Sequence, residues 1–213
     1  MTSLPFPAPA DDAETTAVTR RAALHVVLER RSTAALSEPG PSAEDLDLIL
    51  QAAATVPDHG SLRPWRLVVV ADDGRTQFAD ALARSAAAGR TDVAAEQLEK
   101  VRRKAYAAPL QILIVASPTA SPKVAEWEQI ASASCTGFAI ALAAHSLGFG
   151  AMWKSVPFTR GIGLIEALGL GEREQLLGWV NVGSIGPALG ARQDPAPGEY
   201  TQRLTREGLA PYS

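Results

Sequence analysis

The stretch Pro57-Asp58-His59-Gly60-Ser61-Leu62-Arg63-Pro64-Trp65-Arg66 joins a helical pattern that ends near Val56 to the apolar run Leu67–Val70. The joint is about ten residues long, whereas an ordinary connection between a helix and a strand needs roughly two to six. It carries a histidine and a tryptophan between two prolines, and surface loops with such groups often bind ligands. Considered by itself, this segment is explained equally well as a rigid connector in which Trp65 fills the core and as a ligand-binding loop.

Composition limits the classes of protein to which the chain can belong. It has 213 residues, 46% of them hydrophobic, and a formal net charge of −3. This length predicts one domain or a closely fused pair with a real core, and the charge argues against nucleic-acid binding. The single cysteine, Cys135, excludes an internal disulfide and a multi-cysteine metal site. We expect neither a secretory signal nor a membrane span, and therefore a cytoplasmic protein.

Hydrophobic periodicity on either side of the joint predicts interleaved helices and strands. The proline-rich residues 1–17 indicate a mobile tail, and the last thirty residues show little periodicity. The chain between them belongs to the α/β or α+β class with about four strands. We predict helices over residues 19–30, 42–56, 76–88, 92–107, 124–147 and 162–168, and strands over 66–70, 110–116, 148–153 and 176–182.

Two of the predicted helices have distinctive local sequences. Ser42 can cap the second helix, and Asp45, three residues later, can complete a capping box. The long helix over 124–147 has a centre of small residues, Ser132–Gly137, and is apolar on most of its surface. Its glutamates, glutamine and histidine favour a buried central helix over a membrane span. The small residues would allow close approach of another helix, including a symmetry mate.

The sequence contains no motif of a self-sufficient catalytic apparatus. No glycine-rich nucleotide fingerprint follows a strand, and no nucleophile elbow or metal-ligand spacing occurs. The histidines His25, His59 and His145 lie far apart along the chain. We therefore expect no catalytic side chain and no metal, and a bound cofactor that carries the chemistry while the protein binds and orients it.

The step Arg30-Arg31-Ser32 at the end of the first predicted helix fits such a cofactor. Two guanidinium groups and a hydroxyl form a compact anion cradle, because arginine matches phosphate with paired hydrogen bonds. The alternative is that the arginines only complement the dipole at the end of the helix, which is common.

Taken in order, these segments resemble the FMN-dependent NAD(P)H nitroreductase family, and in particular its short single-domain bacterial branch. The resemblance extends from about residue 20 to residue 186. Its matching pieces are Arg30–Ser32, Pro57–Arg66, Trp127-Glu128-Gln129, Gly148-Phe149-Gly150, Met152–Ser155 and the strand that ends at Val182-Gly183.

The resemblance implies an α+β fold with α/β/α layers. An about four-stranded mixed sheet would be flanked by helices, one of them long and central. Residues 18–213 would form one domain after the tail of residues 1–17. Residues 187–213 of that domain would be an extended arm that wraps the partner subunit.

The resemblance also implies a homodimer with FMN at the subunit interface. Three groups of residues would bind the cofactor. Arg30, Arg31 and Ser32 would hold the phosphate and ribityl chain, Thr55 and His59 would reach the same FMN from the other subunit, and Trp153, Lys154 and Ser155 would line the flavin ring.

The implied activity is that of an oxidoreductase. Hydride would pass from NAD(P)H through FMN to a nitroaromatic, a quinone or a similar electron-poor acceptor by a ping-pong mechanism. One alternative is a flavin-binding or storage protein of the same fold without efficient NAD(P)H turnover. Another is a flavin-free dimeric module whose arginine pair binds a different phosphate.

The resemblance leaves open which cation balances the reduced flavin, which is anionic near neutral pH. Many members of the family have a basic residue two positions after the serine, where this chain has Ala34. Arg31, Lys154 and a protonated His59 are the candidates. Arg192, in the final arm, is a further candidate for the phosphate cradle.

Overall fold

The structure, a computed structural model, describes residues 13–186 and 194–212. Arg192 and the proline-rich residues 1–12 lie outside this range. The helices are α1 (Ala13–Glu29), α2 (Ala43–Ala53), α3 (Gly74–Ala87), α4 (Ala95–Arg102), α5 (Glu126–Ser146) and α6 (Ile162–Leu168). The strands are β1 (Leu36–Ser37), β2 (Trp65–Val70), β3 (Leu110–Ala116), β4 (Gly150–Lys154), β5 (Gln175–Ile185), β6 (Gln202–Thr205) and β7 (Gly208–Pro211).

Five of the strands form one sheet with β5 near its centre. The order is β2-β3-β5, and β4 and β1 pair in succession with the remaining edge of β5. All these pairings are antiparallel, and a single parallel bridge joins Ser32 to Ala151. The predicted α+β fold is therefore confirmed, and four strands of this sheet are longer than two residues.

The sheet is covered by helices on both faces, which gives two separate cores. Every residue of β3 is buried, as expected for a central strand. Ile112 and Ile114 point towards α2 and α5, whereas Leu113 and Val115 point towards α3 and α6. This alternation follows from the period of two along a strand.

Local sequence accounts for where most helices begin and end. The predicted capping box of α2 is present, because the Ser42 hydroxyl accepts a hydrogen bond from the Asp45 amide and the Asp45 carboxylate accepts one from the Ser42 amide. Helix α5 covers nearly all of the predicted residues 124–147. Within the described residues, no helix combines the length and apolarity that a membrane span requires.

Two helices differ from the sequence-based expectation. Helix α1 begins at Ala13, so residues 13–17, predicted to be tail, are helical; no proline follows Pro9 to stop the helix from extending backwards. The helix predicted over 92–107 is shorter, because α4 ends at Arg102 and a 3-10 turn continues to Tyr106. Helix α4 has no buried residue, so little packing holds it in a longer α-helical form.

The described C-terminal residues 194–212 form more regular structure than the unpatterned sequence predicts. A 3-10 turn at Pro197–Glu199 precedes the antiparallel hairpin β6–β7. None of these residues is buried, and Tyr200, Leu204 and Leu209 are largely exposed. A two-stranded hairpin without a core is marginal by itself, so this segment lacks packing that would stabilise it within one chain.

Candidate functional site

The arginine pair at the end of α1 lies beside strand β4. The amide of Thr33 donates a hydrogen bond to the carbonyl of Ala151 at 2.9 Å, and this bond fixes the chain that follows α1 against the strand. Ser32 is exposed, and Arg30 and Arg31 are each partly exposed. The side chains predicted to hold a phosphate are thus accessible and share one backbone support.

The two arginines approach different parts of α5. The Cζ atom of Arg30 lies 5.8 Å from the centroid of the Phe138 ring, which is a cation–π distance. Arg31 lines a cavity of about 470 Å³ near the C-terminal end of α5, together with His145 and Phe149. This cavity also includes Leu28, Glu29, Thr33, Gly150, Ile185 and Asp194.

The loop over residues 57–66 is fixed in a strained conformation. Gly60, Ser61 and Arg63 all have positive φ angles, of 77°, 53° and 48°, which are unusual for residues other than glycine. The Asp58 carboxylate holds the turn by accepting hydrogen bonds from the amides of Leu62 (3.2 Å) and Arg63 (2.8 Å). Strained backbone of this kind is often found at functional sites.

The same loop is attached to the N-terminal part of α5. The Ser132 hydroxyl donates to the carbonyl of Pro57 at 2.6 Å, and the His59 Nδ1 atom lies 3.0 Å from Glu128 Oε2. The hydrogen bond from His59 lowers the pKa of Glu128 below its usual value. Because a carboxylate can only accept, Nδ1 is the donor in this contact, and the other ring nitrogen of the exposed His59 side chain is left to contact a ligand.

Strand β4 holds Trp153 between two glycines. A Cβ atom on Gly137 of α5 would lie 2.5 Å from Cζ3 of the Trp153 ring, and one on Gly178 would lie 2.6 Å from the indole Nε1. Only glycine leaves room for the indole at these two positions. Trp153 is therefore held firmly against α5 while about a third of it, 37%, stays exposed.

The neighbouring Lys154 points to the opposite face of the sheet. Successive side chains of a strand alternate, so Lys154 faces the side of α3 and α4 and lines a pocket with Lys104 and Asn181. Ser155, just after the strand, is exposed. The structure thus separates the side chain of Lys154 from that of Trp153.

Thr55 lies in a groove between α2 and α5. Its hydroxyl donates to the carbonyl of Ala52 at 2.8 Å, and its side chain is exposed. The groove has a volume of about 460 Å³ and an apolar lining that includes Ala139, Leu142 and Leu147.

Within one chain, the predicted site residues fall into two separate groups. The Arg31 cavity lies beside His145, near the end of α5, whereas His59 contacts Glu128, near its beginning. An α-helix rises 1.5 Å per residue, so Glu128 lies roughly 25 Å along the axis from His145 and roughly 15 Å from Phe138, which Arg30 contacts. One chain therefore does not bring His59 to the Arg30–Ser32 segment.

An exposed apolar stripe runs along α5 between the two groups. Trp127 is 71% exposed and Phe138 is 50% exposed. Ala131 and Cys135 lie between them on the same side and are also exposed. Spacings of three and four residues place these side chains on one face of the helix. A contiguous exposed apolar stripe of this length is typical of an interaction surface.

Some contacts of the site have no signal in the sequence pattern. Glu128 is 69 residues from its partner His59, and Phe138, beneath Arg30, looks like any apolar residue of a buried helix. His145, which resembles a core histidine in the sequence, lines the Arg31 cavity. Gly137 could have been noticed, because a glycine in the middle of a helix usually has a packing reason. Within the described residues, no three potential metal-ligating side chains cluster.

Comparison with known sequences gives a consistent result. The nitroreductase family matches residues 27–184. The chain is 37% identical over 180 residues to the Escherichia coli (strain K12) protein named "Putative NAD(P)H nitroreductase YdjA", an alignment that covers 82% of this chain and 96% of that protein. A similarly named Haemophilus influenzae protein is 35% identical over 164 residues, covering 76% of this chain and 88% of the relative.

Solved structures with the same fold include a nitroreductase-like family protein from Bacillus cereus, with a TM-score of 0.71, 21% identity and coverage of 85% of this chain and 95% of that one. A nitroreductase with bound FMN from Bacteroides fragilis aligns with a TM-score of 0.59 and 22% identity over 84% of this chain and 97% of that one. These structures share the fold of this chain, and the sequence matches show that the chain belongs to the nitroreductase family.

Proposed function

We propose that the protein is an FMN-dependent oxidoreductase that takes hydride from NAD(P)H and reduces nitroaromatic, quinone or similar electron-poor acceptors by a ping-pong mechanism. It acts as a homodimer, with each FMN bound between two subunits. The observation that carries this proposal is the separation of the two groups of site residues along α5. A two-fold pairing of antiparallel α5 helices would bring the His59 loop of one subunit to the arginine pair of the other.

The residues of the arginine step fit the phosphate end of FMN. Arg30, Arg31 and Ser32 offer two guanidinium groups and a hydroxyl, the donors that match a phosphate. The Thr33–Ala151 hydrogen bond fixes their backbone, and the packing of Arg30 on Phe138 limits the rotamers of that side chain. This preorganisation reduces the entropy lost on binding.

The flavin ring would lie along the exposed edge of β4. There Trp153 offers a flat apolar surface, and the exposed residue Ser155 has a hydroxyl and a backbone amide that could donate to the ring. FMN, when bound, would accept hydride from the nicotinamide and give it to the acceptor. The protein binds and orients the reactants and needs no catalytic side chain of its own, with solvent supplying the proton.

Of the three candidate cations, the geometry favours His59 as the one that lies beside the reduced cofactor. Its Nδ1 donates to Glu128, so a second proton would sit on Nε2 and make that atom a donor. Lys154 faces the other side of the sheet. Thr55, four residues before His59, lies in the groove between α2 and the C-terminal half of α5, and we assign it a contact with the partner's FMN from there.

The C-terminal segment supports the dimer as well. The described residues 194–212 have no buried side chain and expose Tyr200, Leu204 and Leu209. We assign residues 187–213 to an arm that packs on the second subunit, which would cover these apolar side chains. The remaining domain spans residues 18–186.

The first experiment measures flavin directly. The purified protein should be yellow, should hold about one FMN per chain, and should bleach within seconds when NADH or NADPH is added under anaerobic conditions. Retention of FMN with bleaching over many minutes would indicate a storage protein instead. A colourless preparation that does not bind added FMN would contradict every flavin assignment.

A second experiment tests the shared site. Arg30→Ala and His59→Ala homodimers should each lose most of their FMN affinity, because each charge-assisted hydrogen bond contributes about 1.5–3 kcal/mol. Mixed heterodimers should regain one intact site, since one chain supplies Arg30 and the other supplies His59. Heterodimers that bind no more FMN than the parental homodimers would rule out a site built from two chains.

A third experiment locates the two-fold axis. Midway between Glu128 and His145 lies residue 136 or 137, and the exposed Cys135 is close to that point. Paired helices lie about 8–10 Å apart, so a short bismaleimide should link two Cys135 side chains. The Cys135→Ser variant should give no covalent dimer. If the native oligomer is labelled at Cys135 but never linked, the antiparallel pairing is wrong.

A further inference from the structure

A strongly basic pocket lies on the face of the sheet opposite α5. Its volume is about 270 Å³. Four of its six lining residues are cationic: Lys100, Arg103, Lys104 and Lys154. The first three come from α4 and the turn that follows it, whereas Lys154 comes from the end of β4. Side chains that are distant in sequence therefore converge on one concave surface.

The positive charge of this pocket is only partly balanced. Among the described residues, Arg103 is the one of the four with an ion pair, to Glu99 at 3.4 Å on the exposed surface of α4. The remaining carboxylate of this short helix, Glu96, makes no ion pair with the pocket. Four like charges in one concavity repel one another unless an anion joins them.

The pocket has a buried polar residue in its lining. Asn181 is 2% exposed, and its Oδ1 accepts a hydrogen bond from Gln111 Nε2 at 2.8 Å. In the described part of the chain its Nδ2 makes no hydrogen bond and is not among the buried unpaired atoms, so a ligand in the pocket can reach it. An anionic ligand would supply the acceptor that Asn181 Nδ2 lacks.

A larger apolar cavity adjoins the basic pocket. It has a volume of about 590 Å³ and shares Lys100 and Lys104 with the basic pocket. Val93, Leu98, Val156 and Phe158 contribute apolar walls to it. A flat apolar group that carries a phosphate would occupy both spaces, with the phosphate among the lysines.

We propose that this pair of cavities binds the adenosine and phosphate groups of NADP(H), with the 2′-phosphate held by Arg103, Lys104 and Asn181. The inference rests on the proposed function, since it assigns the donor of that reaction. Strand β4 connects the two sites: Trp153 and Ser155 are assigned to the flavin ring, while Lys154 and Val156 line the cavities. A dinucleotide extending from the ring would pass this end of the strand.

The binding test uses the holoprotein and calorimetric titration. Adenosine 2′,5′-bisphosphate should bind at least about tenfold more tightly than adenosine 5′-monophosphate, because the 2′-phosphate adds charge-assisted hydrogen bonds. The variant Arg103→Gln/Lys104→Gln should remove that difference. Arg84→Gln is the single-charge control for Arg103→Gln, because Arg84 is also an exposed helical arginine paired with a glutamate, Glu166.

Steady-state kinetics separate this inference from the proposed function. In Arg103→Gln/Lys104→Gln, KM for NADPH should rise about tenfold or more while KM for NADH changes by less than about twofold. FMN content should stay at the wild-type level. A protein that lacks FMN would defeat the proposed function, whereas normal FMN with unchanged discrimination between NADPH and NADH would defeat this inference alone.

Two further outcomes also decide against the assignment. If Arg84→Gln lowers the affinity for the bisphosphate as much as the double variant does, general electrostatics explains the binding and the pocket is not specific. If inorganic phosphate competes fully with the bisphosphate and the adenosine adds nothing, the pocket binds free phosphate and the donor assignment is wrong. The assignment is supported if the double variant loses the preference for the bisphosphate over adenosine 5′-monophosphate and Arg84→Gln keeps that preference.

Discussion

The two faces of the sheet are completed in different ways. On the face of α3 and α6, the chain covers its own core: Trp179 is fully buried, and its ring meets Phe78 edge to face at 5.2 Å. On the other face, α5 buries one side against the sheet and leaves Trp127 and Phe138 exposed on the other. The apolar core of the first face is closed by the chain itself, whereas the second face presents an apolar surface that a partner would cover.

This difference indicates where the parts of the site belong. The self-contained face supplies rigidity through buried contacts with α3 and α6. The open face carries the arginine step, the His59 loop and Trp153, all in contact with α5. Substitutions in the buried core of the first face should change folding stability, and those on the exposed side of α5 should change assembly and FMN binding.

The largest expected effect lies in the self-contained core. Leu82, a residue of α3, is completely buried in the core between α3, α6 and the sheet. Leu82→Ala should therefore lower the free energy of unfolding by about 3 kcal/mol, because contacts are lost and a cavity is left. Ile162→Ala, at an exposed position of α6, should change it by less than about 0.5 kcal/mol. Chemical denaturation measures both. Equal losses would mean that this face is not the rigid half of the molecule.

A charge on the open face should act on assembly. Cys135→Asp would place two carboxylates near each other at the proposed axis, and like charges at an interface cost about 2 kcal/mol or more. The dimer should weaken at least about thirtyfold, as seen by sedimentation, and recover when acid protonates the carboxylates. Cys135→Ser is the neutral control. An unchanged dissociation constant for the aspartate variant would show that α5 does not form the interface.

An ionic contact stabilises the self-contained half. The Glu174 carboxylate accepts hydrogen bonds from Arg66 at 2.8 Å and from Ser117 at 2.5 Å, which lowers its pKa to about 2. Because the folded-state pKa is depressed, the stabilisation is complete above the unfolded value of 4.5 and disappears as the pH falls towards 2.

We expect Glu174→Gln to lose about 2 kcal/mol at pH 7 and little at pH 2. Urea unfolding at a series of pH values measures this difference. Glu166→Gln removes the same charge from an exposed pair with Arg84 and should cost less than about 1 kcal/mol. A loss for Glu174→Gln that did not vary with pH would show that the ionised carboxylate is not the source of the stability.

The smallest effect concerns the contact of β4 with α5. In Gly137→Ala the new methyl group would collide with the Trp153 ring and with Ile114 Cδ1, at 2.5 and 2.8 Å. Shifting them should cost about 1–2 kcal/mol and change the tryptophan fluorescence. Gly74→Ala is the helical control, since its nearest neighbour would be 3.9 Å away. Unaltered fluorescence in Gly137→Ala would mean that the indole is not held by this glycine.

Sequence patterns predicted the elements whose signals are local. The apolar run Leu110–Ala116 matches β3 at both ends, and residues 162–168 match α6. The Ser42–Asp45 capping box and the loop over residues 57–66, with its histidine, tryptophan and prolines, are local features as well. The order of these segments along the chain was enough to identify the family.

What the sequence could not supply depends on contacts between distant segments. The direction of Lys154 depends on which face of the sheet Trp153 takes, and that is set by Gly137 and Gly178 rather than by the strand itself. The pairing of His59 with Glu128 and the pocket that brings Lys100 to Lys154 need the tertiary fold. A two-residue strand such as β1 is too short to show any periodicity.

The distance between the two groups of site residues along α5 has a genetic consequence. If each site takes Arg30 from one chain and His59 from the other, a copy damaged at one of these residues still forms one complete site with a normal copy. A copy damaged at both residues spoils both sites of every mixed dimer that it enters. Co-expressed with the normal chain, the doubly altered chain should act as a dominant inhibitor, whereas each singly altered chain should not.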